Sequence, residues 1–146
     1  MIIADSSALF SLLIETDKNH SQAIKISKNI RTRTDTIIIP EDVFSEIVNI
    51  LGKKFDHSKA IMAANFLLDS KIFLIENTTE KIRQDALIKF QKQPNSVSFT
   101  DCVIMAFADY FDTKDIFGFD QTFSQNNYIL LPTRFNRSVP KKELDK

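Results

Sequence analysis

Met1-Ile2-Ile3-Ala4-Asp5-Ser6-Ser7 opens the chain, and its reading decides the fold. The apolar residues 1–4 have the length and character of a buried strand. The run stops at a carboxylate, and helix-compatible residues follow at once, Ala8-Leu9-Phe10-Ser11-Leu12-Leu13. In an open parallel sheet, ligands bind in the crevice beyond the carboxyl ends of the strands. A strand that ends in Asp5 therefore delivers an acid to that crevice. Asp is also a favoured helix N-cap, so a purely structural role for Asp5 stands beside the functional one.

The same unit recurs along the chain. Thr36-Ile37-Ile38-Ile39 is a β-branched run stopped by Pro40, which suits the first turn of a following helix with Glu41 and Asp42 beside it. That helix carries Val43, Phe44, Ile47, Val48, Ile50 and Leu51 on a broad apolar arc, with Glu46 at the edge of the arc. Further strands are expected at residues 72–75, 115–119 and 128–131, and helices at 41–53 and 80–91. Residues 102–108 are apolar on every side, as in a helix buried within a layered core. Strands alternating with helices give an α/β fold, a three-layer α/β/α sandwich with a mainly parallel central sheet. Residues 1–133 form one domain, and 134–146 are a basic tail expected to be mobile.

Composition narrows the function. A chain of 146 residues with 43% hydrophobic and 26% charged residues has the make-up of a soluble globular domain with a real core. Net charge is zero, so any polyanion must be held by a local patch or through metal ions. The two glycines, Gly52 and Gly118, cannot build a glycine-rich phosphate loop. The lone Cys102 excludes an internal disulfide and a cysteine metal site, and reads as a small core hydrophobe. His20 and His57 lack paired ligands at metal spacing and are assigned to the surface. No apolar stretch is long enough to span a bilayer and no secretory signal opens the chain, so a cytoplasmic protein is expected.

Four acids share one architectural level. Asp5 and Asp120 follow strands, Glu46 lies in the second turn of a helix that follows a strand, and Asp101 opens the buried helix. Each has an ordinary role open to it: Ser98 and Asp101 have capping-box spacing, Asp120 can cap a short helix, and Glu46 can be a solvated edge residue. Together in one crevice they would repel each other unless a cation neutralised them, and hard oxygen ligands suit Mg²⁺ or Mn²⁺.

Four ordered segments then carry a family resemblance: Ile2-Ile3-Ala4-Asp5-Ser6-Ser7-Ala8-Leu9, Pro40-Glu41-Asp42-Val43-Phe44-Ser45-Glu46-Ile47, Ser98-Phe99-Thr100-Asp101-Cys102-Val103-Ile104-Met105-Ala106 and Gly118-Phe119-Asp120-Gln121-Thr122-Phe123. The pattern resembles the PIN-domain nucleases, especially VapC-type toxins of toxin–antitoxin pairs. The resemblance implies a Mg²⁺- or Mn²⁺-dependent endoribonuclease using one or two ions, with Asp5, Glu46, Asp101 and Asp120 as catalytic and metal-binding acids. Asp5 and Asp101 would be direct ligands, Glu46 would act through water or orient the nucleophile, and Asp120 would complete the site. Ser6 and Ser98 take the supporting hydroxyl positions. One departure is Gly118, where family members often carry Thr or Ser.

The resemblance further implies an RNA substrate (a structured loop of tRNA or rRNA), a small cognate antitoxin protein and a homodimer. An acidic crevice needs a basic rim, for which Lys53, Lys54, Arg134 and Arg137 are candidates. A receiver domain lacks its acidic pair and closing Lys here, and a haloacid-dehalogenase-type phosphatase lacks its second Asp, since Ser7 stands in that place. The alternative from another class is a catalytically inactive PIN-like scaffold that binds RNA or protein.

Overall fold

The structure, a computed structural model, describes residues 1–132. Five strands form one sheet in the order β3-β2-β1-β4-β5, and every neighbouring pair is parallel. The strands are β1 (Ile2–Ala4), β2 (Ile37–Pro40), β3 (Phe73–Glu76), β4 (Asp115–Phe117) and β5 (Ile129–Leu130). Parallel strands covered on both faces read as continuous apolar runs. The three central strands obey this: residues 2–4, 37–40 and 116–117 are all buried. Ile3 lies at the middle of the sheet, in register with Ile38 on one side and Ile116 on the other.

Among the described residues, seven helices connect and cover these strands: α1 (Ser6–Leu13), α2 (His20–Thr32), α3 (Glu41–Lys54), α4 (His57–Asp69), α5 (Glu80–Gln91), α6 (Phe99–Tyr110) and α7 (Gln121–Gln125). From β1 to β2 to β3 the chain moves one way across the sheet. From β3 it crosses to β4 and then moves outward to β5. Right-handed crossovers put the connecting helices of these two legs on opposite faces. The packing agrees: α1 lies on α2 and α3, and α3 on α4, whereas α5 runs along α6 and α6 touches α7. The direction of winding reverses between β1 and β4, which makes the crevice beyond their carboxyl ends the topological switch point.

The helix expected to be apolar all round is α6. Residues 102–108 are all buried, Cys102 among them, and the helix packs on β1 and β2. Ser98 and Asp101 form the capping box that their spacing suggested. Asp101 N–H donates to Ser98 Oγ at 3.1 Å, and Ser98 N–H donates to Asp101 Oδ2 at 3.0 Å.

Strand boundaries differ from the sequence reading: β3 is Phe73–Glu76 rather than 72–75, and β5 is Ile129–Leu130 rather than 128–131. α3 starts at Glu41 as expected, but Pro40, expected to stop the strand before it, belongs to the strand. It ends β2, in register with Glu76, and its φ of −56° and ψ of 140° make it the extended N-cap of α3. β4 stops at Phe117 rather than running to Phe119, because the Phe119 N–H turns away from the sheet and donates to Ser7 Oγ at 3.0 Å. The expected mobile tail, 134–146, lies outside the described residues, as do Arg134 and Arg137.

Phe107 sits fully buried in α6 and stacks on Phe111 with centroids 6.3 Å apart. Phe107→Ala is expected to lower the unfolding free energy by about 3–5 kcal/mol in urea titrations. A loss below about 1 kcal/mol would contradict the placement of α6 as the central buried helix.

Candidate metal-carboxylate site

β1 ends where Asp5 N–H donates to the Phe117 carbonyl of β4 at 2.9 Å, so the acid leaves the sheet at the switch point itself. Asp5 occupies the N-cap position of α1, but its side chain makes no capping bond. The carboxylate is only 6% exposed and is held by a different hydroxyl. Ser7 Oγ donates to Asp5 Oδ2 at 2.6 Å while accepting the Phe119 N–H, so the hydroxyl is oriented from both sides. Ser6, expected as a supporting hydroxyl, lines the same cleft and lies close enough to Glu46 to favour its charged form.

Gly118 accounts for the packing above Asp5. A Cβ at this position would stand 3.0 Å from Asp5 Cβ, tighter than most such contacts, so Asp5 would have to give by a few tenths of an ångström; the 3.5 Å to Oδ2 is ordinary contact. Position 118 carries no hydroxyl, and Ser7 supplies one to Asp5 from the other direction.

A cleft of about 470 Å³ lies over Asp5 and is lined also by Glu46, Asp101 and Asp120, together with Ser6, Ser7 and Ser98. The four acids named from the sequence thus come from four segments to one concavity. Glu46 is half-buried on the wall of α3. Asp101 commits Oδ2 to the capping box. Asp120 is exposed and caps α7, accepting the Thr122 N–H at 2.9 Å. Capping and cleft-lining are therefore combined in Asp101 and Asp120.

The charges in this cleft are uncomfortable. Burial pushes the Asp5 carboxyl up from its ordinary 3.8 to about 6; the Ser7 hydrogen bond opposes the shift, and the nearby Asp101 charge adds to it. Burial also raises Glu46, again with help from Asp101, while Ser6 opposes. Asp101 is thus near enough to both to be felt electrostatically. This is the signature of carboxylates crowded in low dielectric, which a bound cation relieves.

The donor set fits a hard divalent ion, with one qualification from geometry. Among the described residues, no three Asp, Glu, His or Cys side chains already stand in ligand positions around one point. Mg²⁺ is commonly held through one or two carboxylates, retaining several waters, so Asp5 and Asp101 facing one cleft are compatible with such binding.

Other lining residues were not singled out in the sequence. Asp17 joins the cleft from the loop after α1. Its carboxyl is held below the ordinary range, first by the Ser11 hydroxyl, 2.7 Å from Oδ2, and then by the Asn19 N–H at 3.0 Å. His20, assigned to the surface, is half-buried, and its Nδ1 lies 2.8 Å from the Ser11 carbonyl. The only local signal was an Asp-x-Asn spacing inside a polar turn. Of the basic candidates, Lys54 stands over the ring of Phe10, itself a cleft residue, at 5.0 Å from the centroid. Lys53 lines an adjoining pocket that shares Glu46 and Ile50 with the cleft.

Comparison with known proteins defines the class. The sequence profile of the PIN domain matches residues 2–127, and the chain belongs to the PIN domain family. Among solved structures, it is similar to the toxin VapC20 of Mycobacterium tuberculosis, described as cleaving the sarcin-ricin loop. The two superpose with a TM-score of 0.73 at 20% sequence identity, covering 88% of this chain and 97% of that one. At that identity the likeness is one of fold. A search of curated protein sequences finds no significant match. No helix among the described residues is long and apolar enough to cross a membrane.

The raised Asp5 carboxyl links stability to pH. The folded state binds this proton more tightly than the unfolded chain does. The penalty is therefore absent below about pH 4 and fully present once pH has risen above about 6. Asp5→Asn keeps an acceptor for Ser7 and removes the charge. In EDTA it is expected to gain up to about 3 kcal/mol over the wild type at pH 7 and little at pH 4, in urea unfolding. An equal difference at both pH values would refute the buried-charge account.

Proposed function

We propose that this protein is a Mg²⁺- or Mn²⁺-dependent endoribonuclease that hydrolyses phosphodiester bonds in structured RNA, and that it is the toxin of a toxin–antitoxin pair. One observation carries the reading: a PIN domain in which Asp5, Glu46, Asp101 and Asp120, from four separate segments, line one cleft at the switch point. The fold of a toxin described as cleaving the sarcin-ricin loop supports a VapC-type assignment and makes an rRNA loop the first substrate to try, with tRNA next.

A divalent cation in the cleft would neutralise phosphate oxygens and make a water a competent nucleophile at neutral pH. Asp5 and Asp101 would hold it, Asp5 through the oxygen that Ser7 leaves uncommitted and Asp101 through the oxygen outside the capping box. Glu46, kept near Ser6 and raised by burial, would orient the attacking water and accept its proton. Asp120 would tune the site from its rim, and Ser98 would fix Asp101. Lys53 and Lys54 would bind the flanking phosphates, so affinity should fall with salt. A cytoplasmic location fits this role.

A toxin also needs partners. Ile61, Met62 and Leu68 on α4, with Leu74 on the edge strand β3, are exposed apolar side chains available to a second copy or to a small antitoxin.

Purified protein incubated with ribosomal RNA and Mn²⁺ should cleave it, and Asp5→Asn and Asp101→Asn should each reduce the rate at least about 100-fold. Equal cleavage by all three proteins would sink the assignment. No cleavage by the wild type, with no rise in melting temperature on adding Mn²⁺, would favour the inactive PIN-like scaffold.

A further inference from the structure

We infer that the pocket beside the acidic cleft is a nucleobase subsite that selects the nucleotide next to the cut, favouring bases with an amino group over uracil. The inference rests on the nuclease reading and adds a recognition site to it.

The pocket is an open concavity of about 500 Å³. It adjoins the cleft directly. Glu46 and Ile50, one turn apart on α3, form a wall common to both. A strand whose phosphate lies against the acids therefore has its neighbouring nucleotide placed at this pocket.

The lining chemistry suits a base rather than another phosphate. Asp42 contributes a carboxylate, which repels a phosphate and accepts N–H donors, while Glu46 on the shared wall stays with the chemistry of the cleft. Asp42 is already held in place by Thr78, whose Oγ1 donates to its Oδ2 at 2.8 Å. Asn49 and Ser45 offer donors and acceptors along the same face of α3. Ile50 and Phe99 supply apolar surface for the face of a base. The Phe99 ring is not free to swing: it packs edge-on against Phe90, with centroids 5.8 Å apart. A fixed aromatic ring beside polar edge-readers is how single-stranded bases are read in RNA recognition. Lys53 completes the pocket with a cation for the next phosphate along the strand.

An amino-bearing base can place its N–H₂ group against a carboxylate. Uracil has no exocyclic amino group, and its N3–H donor is flanked by two carbonyl oxygens that the Asp42 carboxylate repels. Uracil should therefore be depleted at one position adjoining the cut.

The test is cleavage of a randomised RNA oligonucleotide library with Mn²⁺, read by sequencing the product ends. The wild type should show uracil depleted at one position flanking the cut. Asp42→Asn and Phe99→Leu should flatten that preference and slow cleavage of the preferred sequence roughly 10-fold. Asp101→Asn should abolish cutting. In parallel, fluorescence anisotropy on uncut complexes of the Asp101→Asn protein should show weaker binding of a uridine-substituted oligonucleotide, and no such difference once Asp42→Asn is added. Unaltered base preference in both variants, or none in the wild type, overturns the subsite while leaving the nuclease standing. Failure of the wild type to cut any sequence overturns the nuclease reading and the subsite with it. Phe99 lies partly in the core, so melting curves accompany that variant. Asp42→Asn, in the exposed first turn of α3, carries the test should Phe99→Leu not fold.

Discussion

A single backbone hydrogen bond, Asp5 N–H to the Phe117 carbonyl, fastens the end of β1 to the end of β4, and the site is arranged around it. It lies where the winding of the sheet changes direction, so the helices that follow the two strands diverge to opposite faces and leave a crevice. On one side of this bond Asp5 enters the crevice. On the other, Gly118 and Phe119 turn out of the sheet, and Phe119 N–H orients the hydroxyl that grips Asp5. A slip in the pairing of β1 with β4 would displace Asp5, Ser7 and Asp120 together.

The fold tolerates an electrostatic cost at this point. A carboxylate almost excluded from water sits near a second one, with Glu46 close by, and hydrogen bonds from Ser7 and Ser6 only partly compensate. Natural proteins concentrate such unfavourable arrangements at functional sites and offset them elsewhere. Here the offset comes from the continuous apolar strands and from α6, whose buried middle turns anchor the helix that presents Asp101. Asp101 and Asp120 also reduce the cost by serving their own helices as capping groups, so two of the four acids are partly stabilised without any ligand.

Much of this could be read in the residues. Isoleucine runs ended by Asp5 and by Pro40 marked two parallel strands, and the all-apolar turns after Asp101 marked the buried helix. The interval from Ser98 to Asp101 foretold the capping box. What escaped was set by tertiary contact rather than local pattern. Nothing in Asp5-Ser6-Ser7 says which serine turns back to the acid, because the answer depends on Phe119, 112 residues away from Ser7 in the chain. Asp17 looked like a turn residue until Ser11 and Asn19 were seen to fix it at the cleft. The reach of β4 was overestimated because Phe119 has strand-like character, while its N–H is drawn to a side chain. The adjoining pocket joins α3 to the start of α6, a pairing that no spacing in the sequence records.

Gly118 has a consequence for how this sequence can change. A Cβ there would press on Asp5 Cβ at 3.0 Å, so a side chain at 118 requires Asp5 to give by a few tenths of an ångström. Ser7 grips the same acid, so positions 7 and 118 are linked through Asp5. A change at 118 would be felt in the Ser7–Asp5 hydrogen bond, and loss of Ser7 would leave a buried acid without its hydroxyl donor.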